Sequence, residues 1–362
     1  MQNDLKFWNT INLVGEIGPV KFKKLIDFFP NMETAWRASA FELKQIGFSE
    51  KDIANFLTKR KEINPDLEFE KLLKEKIALI TIKDKNYPKL LAKIYNPPAL
   101  LYIKGKITDD NKPKIAVVGT RKISPYGKQI TQELTYDLAK TGITIISGLA
   151  LGVDAQAHES ALAAGQKTYA ILGSAVDEKN IYPRNNLFLA HKILESGGAI
   201  ISEYPIGTPG LPQNFPQRNR IISGLAYGVL VTECPENSGA MITTQFALEQ
   251  NREVFACPGS IYFENSKGTN YLIQQGAKLV MQAQDIIEEL NFNLILPEKQ
   301  KPKAENEEER KILEILSKEP ISLDLIVQKT KLPPSKLLSS LTKMELSSKV
   351  KNIGGMNYIK SS

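Results

Sequence analysis

The stretch Lys114-Ile115-Ala116-Val117-Val118-Gly119-Thr120-Arg121, and after it Ile143-Thr144-Ile145-Ile146-Ser147-Gly148-Leu149-Ala150-Leu151-Gly152-Val153-Asp154, decides how this chain folds. Each piece begins as a short apolar run rich in β-branched residues and then breaks into glycine and small residues. That is the pattern of a buried strand ending in a turn. In an open α/β sheet such strand ends are where ligands bind. Backbone N–H groups of glycine and small hydroxyl residues approach a phosphate closely there, and an arginine adds a planar fork for its oxygens. The two segments predict a site for an anion, either a nucleotide or a nucleic-acid backbone.

Outward from these segments the same alternation continues through a main body at residues 66–290. Ile77–Ile82 and Ala99–Ile103 read as two leading strands, followed by strand-like runs at 114–119, 143–147, 167–173, 199–203, 228–233, 252–257 and 278–281. Helical patterns lie between them; Tyr126, Ile130, Leu134 and Leu138 share one face of such a helix. Strands alternating with helices predict an α/β fold, an extended Rossmann-like, doubly wound and mostly parallel sheet.

Two smaller regions flank that body. Residues 1–65 hold a glycine turn at Gly15-Glu16-Ile17-Gly18-Pro19 feeding an amphipathic pattern of Phe22, Leu25, Ile26 and Phe29. A second copy runs through Ile46-Gly47-Phe48 to Ile53 and Phe56. The pair predicts a small helical domain of helix-hairpin-helix (SAM-like) type, whose turn amides can touch DNA phosphates, or else a purely structural docking domain. Residues 291–304 read as a linker, and 305–362 as three short helices plus a hairpin at Gly354-Gly355, a winged-helix-like module. Its third helix offers only Lys336 and Lys343 beside serines and Glu345, so a protein-contact role stands beside base reading.

At 362 residues the chain is too long for one ordinary domain, and its 42% hydrophobic content is enough to build cores. The net charge of +7 suits a polyanionic partner, although Lys/Glu-rich solvated helices give the same excess. Cys234 and Cys257 end apolar runs and read as small buried hydrophobes in a reducing compartment. No basic leader with an apolar stretch opens the chain and no apolar run approaches about 18 residues, so a soluble, cytoplasmic protein without membrane insertion is expected.

The Gly119 segment is not a Walker A loop, which needs four residues between its glycines; seven separate Gly119 from Gly127-Lys128. The dinucleotide fingerprint is absent as well. Further candidates for anion contact follow later strands: Tyr182-Pro183-Arg184-Asn185-Asn186, Phe215-Pro216-Gln217-Arg218-Asn219-Arg220, Asn237-Ser238-Gly239-Ala240, and Pro258-Gly259-Ser260 leading to Gly268-Thr269-Asn270. Each is weak alone, but five such loops along one sheet edge make an extended anion site. Catalytic constellations are poorer. His158 and His191 lie within helical patterns without metal spacing, and Asp154 reads as the N-cap of the helix through His158. Glu203 and Glu233 end strands, which leaves a carboxylate pair open as a minor reading.

With Asp84-Lys85-Asn86-Tyr87-Pro88 and Pro97-Pro98-Ala99-Leu100-Leu101-Tyr102 added to these motifs, the chain resembles the DprA/Smf family of bacterial DNA-processing proteins. The resemblance implies a protein that is not an enzyme and needs no cofactor. It would bind single-stranded DNA, form a homodimer, protect incoming DNA and load the RecA recombinase during natural transformation, with single-strand-binding protein as a further partner. The DNA-binding set carried over is Gly119, Thr120, Arg121, Ser147, Gly148, Arg184, Arg218, Asn219 and Arg220. Arg121 and Arg184 would hold phosphates and the Ser147-Gly148 amides would complete the pocket, while Arg218 and Arg220 either join them or stabilise the loop.

An alternative is a nucleoside-monophosphate phosphoribohydrolase of the lysine-decarboxylase-like family. Its Pro-Gly-Gly-x-Gly-Thr-x-x-Glu motif would fall near Asn237–Gln245, where the paired glycines and the terminal carboxylate are missing. A third reading, a structural adaptor working through its end domains, predicts no DNA affinity.

Overall fold

All nine apolar runs of the main body become strands, joined in one sheet. The computed structural model describes residues 2–107, 112–292, 304–317, 319–347 and 349–360. It divides into two compact units, 1–296 and 297–362. The expected linker at 291–304 lies almost wholly outside the described residues.

The first unit opens with six helices: α1 (Gln2–Leu13), α2 (Pro19–Phe28), α3 (Met32–Trp36), α4 (Ala40–Gln45), α5 (Glu50–Glu62) and α6 (Pro65–Lys74). Their starts are written in the sequence. Ser39 with Glu42 and Ser49 with Asp52 form capping boxes, each satisfying two orphan amides, and Pro19 and Pro65 occupy first-turn positions. The expected turns at Gly15 and Gly47 connect α1 to α2 and α4 to α5. The helical region is bonded to the sheet. Asn12 Nδ2 donates to the Glu203 carbonyl at 3.0 Å, and the buried Tyr102 hydroxyl donates to Asn9 Oδ1 at 2.8 Å. Phe7, Trp8 and Ile11 share one apolar cluster with Leu100, Tyr102 and Ala170.

The sheet comprises β1 (Ala78–Thr81), β2 (Leu100–Gly105), β3 (Lys114–Val118), β4 (Thr144–Ser147), β5 (Thr168–Ile171), β6 (Ala199–Ser202), β7 (Gly228–Val231), β8 (Glu253–Ala256) and β9 (Lys278–Leu279). Its order is β1-β2-β6-β5-β4-β3-β7-β8-β9. From β6 to β9 every pair is parallel, while β2 runs antiparallel to β6 and β1 antiparallel to β2. Among the described residues seven helices lie between these strands, α7 (Lys89–Ala92), α8 (Pro125–Lys140), α9 (Val153–Ala163), α10 (Leu187–Glu195), α11 (Asn214–Leu225), α12 (Gly239–Glu249) and α13 (Glu264–Gln274), and α14 (Ala283–Glu289) follows β9. β3, β4 and β5 are buried along their whole length because helices cover both faces, which is why they read as unbroken apolar runs. The chain winds from β3 outward to β6 and then returns to place β7 on the other side of β3. The switch point lies between β3 and β7, and it opens a crevice beyond their carboxyl ends.

Asp154 does not cap α9 from outside. Gly152 is the N-cap, and Asp154 sits one residue inside the helix with its carboxylate turned back to the preceding loop. The capping role is lost because Gly152, at φ +79, takes a left-handed conformation and starts the helix earlier. Both cysteines are buried and free.

The second unit comprises α15 (Glu307–Ile315), β10 (Ile321–Ser322), α16 (Leu323–Thr330), α17 (Pro334–Leu346), β11 (Val350–Gly354) and β12 (Asn357–Lys360). The three helices close on Ile312, Ile326, Leu337, Leu341 and Met344, and β10-β12-β11 forms the wing. Among the described residues no helix is long and apolar enough to cross a membrane.

Candidate nucleic-acid interface

At the switch point the loops after β3, β4 and β7 and the N-terminal turns of α11 and α12 surround a cleft of about 470 Å³. Gly119 and Arg121 from the β3 loop, Tyr182 and Gly210 from later loops, Phe215 and Arg218 from α11, and Asn237 to Ala240 ahead of α12 all line it. Arg121 is exposed, and its guanidinium lies over the Phe215 ring, 5.7 Å from the centroid. The Tyr182 and Phe215 rings meet at 5.5 Å, and Tyr182 keeps nearly half of its surface in solvent. Arg184 opens a short 3-10 turn, Arg184–Asn186, that leads into α10. It is exposed, and its guanidinium donates to the Glu178 carbonyl. Among the described residues neither Arg121 nor Arg184 has a carboxylate partner. Arg121 and the two rings thus border one cleft, and Arg184 stands exposed two residues beyond Tyr182; arginine forks beside stackable rings suit phosphates and unpaired bases.

The other expected contact residues are arranged differently. Ser147 is fully buried, with its hydroxyl donating to the Val117 carbonyl at 2.6 Å. The Thr120 amide donates to the Glu233 carbonyl at 2.8 Å. The Gly148 amide donates to Asp154 Oδ2 at 3.0 Å, so it is directed into the protein. Arg218 lies beneath the cleft at 4% exposure, its Nη1 donating to the Gly148 carbonyl at 2.7 Å and also to the Ile171 carbonyl. Its Nε donates to Asn219 Oδ1 at 3.1 Å, and Asn219 Nδ2 in turn donates to the Gly239 carbonyl. Arg220 grips Glu203 with both guanidinium nitrogens, at 2.8 and 2.6 Å. The nine expected residues therefore separate into two exposed arginines, the partly open Gly119 and a buried supporting set.

Burial dominates the charges of that supporting set. It lowers the Arg218 pKa to about 10, Asp154 acting against the shift and the nearby Arg121 adding to it. Burial also raises the Asp154 carboxyl above its ordinary range, with Arg218 and the Gly148 amide opposing. His158 is enclosed beside Thr168, and burial pushes its pKa down to about 3. The strand-end carboxylates both have partners: Glu203 holds Arg220, and Glu233 accepts from the amide and hydroxyl of Ser124 at the start of α8. At Asn237–Gln245 the chain begins α12 with Ser238 as its N-cap and carries no carboxylate. The segment Gly268-Thr269-Asn270 lies inside α13. There Asn270 ties the Gly259 backbone in both directions, and the absent side chain of Gly268 lets α13 approach Cys234.

Sequence reading missed Phe215 and Tyr182 as site residues. The usable signal was an aromatic residue within three positions of an arginine in both segments, Tyr182 before Arg184 and Phe215 before Arg218.

The fold and this cleft define the class: a Rossmann-like protein whose switch point presents the exposed Arg121 beside two aromatic rings, followed by a winged-helix unit. Residues 78–291 match the family of DNA recombination-mediator protein A, and residues 296–356 match the DprA winged helix domain. The chain belongs to the DprA/Smf family of DNA-processing proteins. It is 33% identical to Protein Smf of a Synechocystis species, across 97% of this chain and 98% of that protein. The X-ray structure of DNA processing protein A from Streptococcus pneumoniae superposes with a TM-score of 0.65 at 33% identity, covering 79% of this chain and 96% of that one. A structure of DNA processing protein A from Helicobacter pylori, described as showing a single-stranded DNA binding mode, gives 0.53 at 32% identity over 61% and 98% of the two chains.

Proposed function

We propose that this protein captures single-stranded DNA in the switch-point cleft and, as a cytoplasmic homodimer, passes it to the RecA recombinase, protecting incoming strands during transformation and recombination. The observation that carries the reading is that Arg121 and the Tyr182–Phe215 ring pair line one cleft, with exposed Arg184 two residues beyond Tyr182, and that neither arginine has a carboxylate partner among the described residues. Arginines that no acid neutralises are available to phosphates, and rings beside them accept bases of any sequence. The single-stranded DNA binding named for the Helicobacter relative supports the same assignment. In this reading Arg121 and Arg184 touch the strand, and Gly119 lets the backbone come close.

The winged-helix unit is not assigned the primary contact. On its third helix Lys336 is engaged by Glu308 at 2.8 Å. The direct test compares labelled single-stranded and duplex oligonucleotides of one sequence by fluorescence anisotropy; tighter binding of the single strand is expected, and equal affinity rejects the assignment. The RecA step is tested by the onset of RecA ATPase on strands precoated with single-strand-binding protein. Earlier onset with this protein is expected, and an unchanged lag leaves strand protection alone.

A further inference from the structure

Arg218 and Asp154 are both nearly enclosed, yet they lie directly under the cleft and hold the two backbone polar groups of one residue, Gly148. The Gly148 N–H donates to Asp154, and the Gly148 carbonyl accepts from Arg218. A side chain at position 148 has no room, since a Cβ there would lie 2.4 Å from a guanidinium nitrogen of Arg218. The loop so clamped, 147–152, then touches both exposed arginine segments. At Gly152 a Cβ would lie 2.3 Å from the Thr120 carbonyl and 2.8 Å from the Arg121 backbone, and the Val153 amide donates to the Thr120 carbonyl at 3.1 Å. On the other flank Asn186, two residues beyond Arg184, donates to the Leu149 and Ala150 carbonyls at 2.8 and 3.1 Å.

We propose that Arg218 and Asp154 are positioning residues: by clamping the backbone of Gly148 on both sides they make the 147–152 loop a rigid spacer that fixes the separation of Arg121 and Arg184. This role rests on the proposed capture of single-stranded DNA in the same cleft. A spacer of this kind is needed because the two arginines come from different loops and, among the described residues, neither is braced by a carboxylate. Two phosphate contacts reinforce each other when their spacing is preset, since the second then forms at little further cost in ordering. Burial also explains why the clamp is an arginine. Only a planar fork can serve the carbonyls of Gly148 and Ile171 while its Nε reaches Asn219.

The role is separable from direct phosphate contact by a thermodynamic cycle, read as anisotropy of a fluorescein-labelled 20-mer oligothymidylate. Arg218→Lys keeps the charge and loses the fork. It is expected to weaken binding about 10-fold or more in the otherwise native protein, but less than about 3-fold where Arg121→Ala and Arg184→Ala are already present. Full loss in both backgrounds, or no loss in the first, overturns the positioning role. Should Arg218→Lys fail to fold, Asn186→Ala supplies an independent arm, because it cuts only the tether to Arg184. Its effect is expected to shrink beside Arg184→Ala and beside Arg121→Ala alike; full persistence beside either overturns the proposal. If Arg121→Ala and Arg184→Ala themselves leave binding unchanged, the capture reading fails and the spacer falls with it. If they weaken binding while Arg218→Lys is additive to them, only the spacer fails.

Discussion

At the sheet edge of the first unit, Arg121 and Arg184 stand in solvent with no carboxylate partner among the described residues. On the second unit Lys336 is held by Glu308 at 2.8 Å, and Lys349 bridges Glu305 and the buried Glu309 at 2.6 and 2.8 Å. Both regions contribute to the net charge of +7, but they use their cations differently. In the second unit the lysines tie α15 to α17 and to the residue just ahead of the hairpin, so much of their charge is spent inside the unit. In the first unit the clamping is done by Arg218 and Arg220 beneath the surface, which leaves Arg121 and Arg184 to meet a ligand. A count of basic residues does not locate an interface; the location follows from which cations have already been neutralised.

The largest expected effect comes from removing the free cations. Arg121→Ala and Arg184→Ala should each weaken single-strand binding by about 1.5–3 kcal/mol, the scale of a charged hydrogen bond, with little change in melting temperature. Isothermal titration beside a thermal scan checks both halves, and a large drop in stability would place these arginines with the buried set. Phe215→Ala should cost about 1–3 kcal/mol of binding if one base stacks there. Fluorescence titration against oligothymidylate reads this loss.

Acid sensitivity sharpens the contrast from the side of stability. Both histidines of the chain lie in the first unit, and His158 is enclosed with a pKa near 3. Its folded value lies below the unfolded one of about 6.5, so between those limits the unfolded chain takes up a proton that the folded chain refuses. Stability should fall as the pH drops through that window, by at most about 1.4 kcal/mol per pH unit. His158→Gln should flatten the dependence, which thermal scans between pH 7 and pH 5 would reveal; parallel slopes in the two proteins would remove His158 from the account.

The smallest effects belong to the second unit. Lys336→Ala breaks an exposed ion pair and should change single-strand affinity by less than about 1 kcal/mol. Removal of residues 297–362 should leave a folded protein that still binds the strand, with an affinity within about threefold by anisotropy. A truncated protein that folds but no longer binds would move the interface to the winged helix.

Much of this was legible in the chain. The central strands β3 to β7 were visible because buried parallel strands are continuous apolar runs, and the capping residues Ser39 and Ser49 mark helix starts in plain view. The reversed direction of β2, antiparallel to both β1 and β6, was not legible, since an apolar run carries no sign of its direction. Arg121 and Arg184 could be picked out because each sits where an element ends. Arg218 and Arg220 look the same in sequence, but one turn of α11 aims them inward at the Gly148 carbonyl and at Glu203. The Gly148 amide was read as open to a phosphate. It is taken by Asp154, six residues on, because Leu149 and Gly152 both adopt positive φ and fold the loop back on itself. Tyr182 and Phe215 are 33 positions apart, and only the fold brings their rings together.

The salt dependence of single-strand affinity tests the central claim most directly, comparing the native protein with the combined Arg121→Ala, Arg184→Ala variant. Neutralising about three to five phosphates should give the native protein a slope of log affinity against log salt of roughly −2 to −4 per protomer. Losing two of those contacts should make the variant's slope shallower by about 1.4. Identical slopes in the two proteins would contradict the account, because the phosphates would then be held by other residues.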